Sequence, residues 1–184
     1  MRPDDGRRRP SEVMAALGIL QLGDPRLTTP ARELRFPGDE REAARVLQRL
    51  SGVADAVLRA HTFSAGAMGL AAPQIGEPVA LALFRPANAP QIVLVNPVVA
   101  EASPADPGEW EETTEGCLSF FDFRCLLRRP KRIVVRYRTP IGEPRETVFD
   151  EGRLARDVLH EIDHLGGVLC LDHAERGRPS AYVV

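Results

Sequence analysis

The segment EGRLARDVLHEIDHLGG, residues 151–167, is a helix with a stop signal of its own. The run from Glu151 to Leu159 is compatible with a helix, and Gly166 with Gly167 supplies its end. On a helix, residues four apart lie one above the other. His160 and His164 can therefore turn two imidazole nitrogens towards one cation. Glu161 follows the first of them directly and can reach a water that such a cation activates. That is the mechanical content of an H-E-x-x-H segment, normally a zinc-type hydrolytic site. The plain alternative is two surface histidines on a helix, and the rest of the chain has to decide between them.

A catalytic metal usually has three protein ligands and keeps one position open. The segment EGCLS, residues 115–119, offers Cys117 as the third. Cys125 sits in an Arg-rich stretch and Cys170 in the apolar run VLCL, residues 168–171, where a small buried hydrophobe is the expected role. A further segment, GLAAPQIG at 69–76, combines small residues with one uncharged amide. Small residues let backbone pass close to a neighbour, and the Gln74 side chain could donate to a developing oxyanion. Taken alone, such a Gly-Ala-Pro run is an ordinary tight turn.

Three segments in this order resemble the signature motifs of the peptide deformylase family, G-x-G-L-A-A-P-Q, E-G-C-L-S and Q-H-E-x-D-H-L-x-G. This chain has AMGLAAPQ at 67–74, EGCLS at 115–119 and LHEIDHLGG at 159–167. The opening ILQLGDPRL at 19–27 is also similar, and the likeness extends to about Asp172. The resemblance implies a single α+β domain, with antiparallel or mixed sheets packed around a central H-E-x-x-H helix. It implies Cys117, His160 and His164 as ligands of one divalent metal, and Glu161 as the proton carrier. It further implies the Gln74 amide and the Leu118 backbone N–H as oxyanion donors, and peptide binding along Met68, Gly69 and Gly116. The implied substrate is the N-formyl group of formyl-methionine on new bacterial polypeptides, met in the cytoplasm as chains leave the ribosome. Two imidazoles and a thiolate suit zinc, and iron(II), nickel or cobalt equally fit these donors; the resemblance favours iron(II). A general H-E-x-x-H peptidase would need neither Cys117 nor the Gln74 segment.

Four positions depart from the family pattern: Ala67, Leu159, the run Phe120-Phe121-Asp122, and Asp157 three residues before His160. None is a ligand or the base, so they bear on the preference for the first side chain and not on the reaction. Asp163 has two open readings, an acceptor that orients a ligand and a carboxylate on the helix surface.

Composition agrees with an enzyme of one domain. With 184 residues and 43% hydrophobic content the chain can bury a real core. A formal net charge of −2 gives no reason to expect nucleic acid or an anionic membrane as partner. No apolar stretch approaches membrane-spanning length, and three cysteines, an odd number, argue against a disulfide scaffold. The basic run RRPKR at 128–132 is expected to be a solvated face. Residues 1–12 are expected to be a polar tail and 13–184 the domain. Apolar periodicity predicts a helix from Glu40 to about His61, and strands are expected over 79–84, 91–95, 132–138 and 146–149. Pro86–Pro90 and 140–142 suit turns, and Ala100–Gly108 a loop.

Overall fold

A computed structural model describes residues 8–60, 68–86, 89–102, 110–150, 152–173 and 181–183. Three helices, α1 (Pro10–Ala16), α2 (Glu40–Ala60) and α3 (Gly152–Leu165), accompany eight strands. These are β1 (Met68–Ala71), β2 (Leu81–Arg85), β3 (Ile92–Glu101), β4 (Trp110–Glu115), β5 (Phe123–Pro130), β6 (Ile133–Arg138), β7 (Pro144–Phe149) and β8 (Ala181–Val183). They form a five-stranded sheet, β1-β2-β3-β6-β7, and a three-stranded sheet, β4-β5-β8. Every strand pair is antiparallel, and the one parallel element among the described residues is an isolated bridge between Arg32 and Val79.

Strand alternation explains the layering. In β2, Leu81 and Leu83 pack with the α2 residues Val46, Leu50 and Val57. Ala82 and Phe84, on the opposite face, pack with Ala155 and Val158 of α3. A strand covered on both faces reads as a continuous apolar run, which is why VALALF at 79–84 stood out in the sequence. The stripe Ala43, Val46, Leu50, Ala54, Val57 of α2 is fully buried, as its helical spacing predicts. Helix α3 packs on β1, β2 and β7 of the large sheet and on β5 of the small one. It ends where expected: Gly167 adopts a φ of 71°, and its N–H donates to the carbonyl of His164.

The chain differs from expectation in several places. Helix α1 occupies Pro10–Ala16 and so begins inside the stretch read as tail; residues 1–7 lie outside the described residues. Pro10 at the first helical position fixes φ, the Glu12 carboxylate accepts from Arg9 N–H, and the Ser11 hydroxyl donates to Asp122. Strand β3 runs on to Glu101, into the expected Ala100–Gly108 loop, whose residues 103–108 are outside the described part. The strands β1, β4, β5 and β8 were not anticipated. Among the described residues, no helix is long and apolar enough to cross a membrane.

Candidate metal centre

Cys117 leaves the end of β4, and His160 and His164 face it from α3. The Cys117 Sγ lies 3.1 Å from His164 Nε2, and one donor atom from each of the three residues falls within 4.8 Å of the others. All three residues are buried. A sulfur and a nitrogen bound to one tetrahedral ion at ~2.3 and ~2.0 Å would be roughly 3.5 Å apart, so the donor set has the spacing and the chemistry to hold a divalent metal. The imidazole rings stand nearly perpendicular, 4.9 Å between centroids, so both can turn an edge to one point.

The ring of His160 is fixed from behind. Its Nδ1 lies 2.9 Å from Glu115 Oε2, which leaves Nε2 for the cluster. Glu115 in turn accepts two hydrogen bonds from Arg129, at 2.8 and 3.0 Å, and Arg129 also donates to Asp163 at 2.7 Å. His173 closes the chain with Nε2 2.9 Å from the same Asp163 oxygen. Burial would raise the Glu115 carboxyl, but its hydrogen bonds to His160 and Arg129 outweigh this and hold it down at about 2. Burial likewise works against protonated His160, and hydrogen bonds to Cys117 and Glu115 reverse the balance and raise it. His164 is lowered by burial and by the neighbouring His160. A metal bound here would compete with protonation of both rings.

Arg129 corrects one expectation. It belongs to the basic run read as a solvated face, yet only 4% of it is exposed. Asp163 takes neither of its two expected roles: it touches no ligand and instead anchors Arg129 and His173. Sequence reasoning also missed Glu115 as the residue that orients His160. The available signal was its place two residues before Cys117, the spacing that puts two side chains of an extended segment on one side.

Gln74 is buried and locked by its own turn. Its Oε1 accepts from Ala71 N–H at 2.8 Å, so Nε2 must point the other way, towards Ser119 Oγ at 3.2 Å and Cys117 Sγ at 3.5 Å. Leu118 opens the short 3-10 turn Leu118–Phe120, and its N–H is a first-turn donor of the kind a helix leaves without an internal partner. Both donors therefore border the metal cluster. Glu161 is buried beside them, and burial raises its carboxyl to about 8. Its Oε2 has no hydrogen-bond partner among the described residues.

Met68 and Gly69 lie on β1, whose only sheet neighbour among the described residues is β2, and its other edge passes Glu161. The backbone passes so close to Glu161 that a Cβ added at Gly69 would stand 2.7 Å from its Cγ and 2.8 Å from its Cδ. Gly116 continues from β4, and an added Cβ there would meet the Arg124 guanidinium at 2.8–2.9 Å. Cys125 and Cys170 are apart from the donor set. They sit with Leu27, Phe120 and Leu127 in an apolar cluster that Cys117 borders. Cys170 also comes within 4.8 Å of Glu115 and His160, but the Glu115 oxygens are already taken by Arg129 and His160.

The departures resolve unequally. Phe120 and Phe121 are both buried in core clusters, and Leu159 packs under the large sheet. Ala67 lies outside the described residues. Asp157 is the departure that borders the site.

Residues 16–180 match the family model described as polypeptide deformylase. A peptide deformylase of Synechococcus sp. (strain RCC307) is 35% identical over 170 residues, covering 90% of this chain and 81% of that protein. The crystal structure of peptide deformylase from Thermotoga maritima superposes with a TM-score of 0.71 at 30% identity, covering 85% of this chain and 96% of that one. A peptide deformylase from Synechococcus elongatus in complex with actinonin gives a TM-score of 0.70 at 31% identity, covering 86% and 79%.

Proposed function

The chain belongs to the polypeptide deformylase family, a family of metalloenzymes, and removes the N-formyl group from new polypeptides; we propose that Cys117, His160 and His164 hold its one divalent metal while Glu161 carries the proton. The observation that supports this most directly is the buried trio of one sulfur and two imidazole nitrogens within 4.8 Å, with an ionisable carboxyl next to it. A metal held there supplies Lewis acidity and lowers the pKa of a water.

The remaining work falls to the chain. The extended substrate pairs with the free edge of β1 at Met68 and Gly69 and passes Gly116 on its other side, a β-augmentation. That pairing sets the formyl carbonyl beside Gln74 and Leu118. As water adds to the formyl carbon, Glu161 takes its proton. The oxygen that gains charge accepts from Gln74 Nε2 and Leu118 N–H. Glu161 then gives the proton to the amine nitrogen as the C–N bond breaks, and formate and a free N-terminus leave. A carboxyl raised by burial suits a group that must hold and release a proton near neutral pH. A bound cation would pull it back down, so that it starts ionised.

Iron(II) is the proposed native metal, with zinc, nickel and cobalt as substitutes that the same donors accept. The proposed setting is the cytoplasm, on formylated chains emerging from the ribosome. Formate release from formyl-Met-Ala-Ser by iron-, nickel- or zinc-loaded protein, under reducing anaerobic conditions, tests the assignment. Cleavage of unformylated peptides with no formate release would turn it towards a general metallopeptidase.

A further inference from the structure

The two strands that border the centre are both sheet edges. Among the described residues, β1 pairs only with β2 and β4 only with β5, while α3 lies below the centre between them. A chain extended along this cleft alternates its side chains between solvent and the α3 floor. The first side chain stems from the carbon next to the reacting nitrogen, so it must fall within about one helical turn of His160. Towards the C-terminus that floor is closed, since His164 and Leu165 are buried. Towards the N-terminus it opens: side-chain exposure rises from 9% at His160 to 27% at Asp157 and 55% at Arg153. Asp157 lies three residues before His160, ~4.5 Å along the axis, well within reach of a methionine-length side chain.

This open stretch is polar. Arg156, with its side chain only 15% exposed, donates through Nε and an Nη to Asp157 at 3.3 and 3.2 Å and through the other Nη to Thr113 at 2.6 Å. Arg153 adds a second guanidinium, 3.6 Å from the Asp157 carboxylate. Thr113 and Glu115 sit two apart on one face of β4, so the two tie points Thr113–Arg156 and Glu115–His160 run in step along strand and helix. The three hydrogen bonds from Arg156 to Asp157 and Thr113 use three of its five N–H donors, and with 15% of the side chain exposed the other two are left to solvent or to a ligand. A thioether seated there would cover these donors and satisfy none of them.

We propose that Thr113, Arg153, Arg156 and Asp157 form the seat for the first side chain, and that this seat selects a side chain ending in an acceptor oxygen over an apolar one. Two substrates carry that chemistry: a formylated chain whose initiator methionine has been oxidised to the sulfoxide, and one that begins with a glutamine-like carboxamide. The selection rests on the deformylase reading of the same centre. Sites built to hydrogen-bond a substrate group discriminate strongly against analogues that lack it, and a seat partly open to solvent keeps a share of that.

The test is kcat/KM for formate release from four tripeptides differing only in the first residue: formyl-methionine, formyl-methionine sulfoxide, formyl-glutamine and formyl-norleucine. The parent enzyme should favour sulfoxide, carboxamide or both over norleucine by at least ~10-fold, mainly through KM. The arm that gains identifies the source. Arg156→Leu should bring the ratio to within about threefold of unity, and Asp157→Val should shift it towards norleucine, each with its melting temperature tracked to exclude misfolding. A parent that prefers methionine or norleucine overturns the seat while leaving the deformylase reading intact. Formate release from none of the four overturns both. The parent comparison needs no variant, so misfolding of a variant cannot protect the proposal.

Discussion

Glu115→Gln isolates what the ion pairs behind His160 contribute. The wild-type carboxyl is held at about 2, against an ordinary value of 4.5, and its side chain is almost wholly buried. A gap of roughly 2.5 pH units, at about 1.36 kcal/mol each, corresponds to ~3 kcal/mol of folding free energy at neutral pH. The sign follows from the depressed folded value. Stability is fully present above pH 4.5, where the unfolded chain is ionised too, and is lost as pH falls through about 2. A glutamine keeps the shape but carries no charge, and it turns an NH2 towards Arg129 or His160, both of which are donors. Urea unfolding of metal-free protein should place the variant ~3 kcal/mol below wild type at pH 7, and the difference should narrow steadily between pH 4.5 and 2. Metal titration should show affinity weakened by ~10–100-fold, the usual effect of removing the group that orients a ligating histidine. A variant equal to wild type in both measurements, or a stability gap that does not change with pH, would refute the reasoning.

Glu161→Gln should keep its metal and lose at least ~100-fold in formate release, because an amide cannot accept the proton of the attacking water; metal analysis beside the formate assay checks it. Cys117→Ala should lose metal, whereas Cys125→Ala and Cys170→Ala should bind close to one equivalent and show only lower melting temperatures, since those thiols fill an apolar cluster. Gly69→Ala should remain folded yet cost ~100-fold or more in kcat, because the new methyl displaces Glu161 from the β1 edge. Normal turnover in that variant would remove Gly69 from the site.

The elements that the sequence displays are those whose pattern is local. Helix α2 shows its buried stripe, β2 its two-sided burial, and α3 its paired histidines with a glycine stop. Strand β4 is hidden for a physical reason: WEETTE is an edge strand whose less exposed positions, Glu111, Thr113 and Glu115, are all polar, the last two bonded to Arg156 and His160 of α3. Its partner β5 alternates buried and exposed positions, but with Arg129 on the buried side, so its arginines mask the period. Which guanidinium of a basic run turns inward depends on a carboxylate fourteen residues earlier and on another thirty-four residues later. No window of neighbouring residues contains that information. The same limit applies to Phe120 and Phe121, which stand beside a motif in sequence and belong to the core in space. The ligands were legible because the motif spacing of His160 and His164 is itself a helix geometry.

The small sheet is fastened to α3 by four polar contacts: Thr113 to Arg156, Glu115 to His160, Cys117 to His164 and Arg129 to Asp163. The docking seam between the small sheet and α3 and the chemical centre therefore share side chains. Whatever occupies the centre also clamps the seam, and whatever empties it loosens a whole layer of the molecule. Protection of the β4 and β5 amides against hydrogen exchange should rise and fall with occupancy of the centre, which makes the backbone of the small sheet a gauge of the state of the catalytic site.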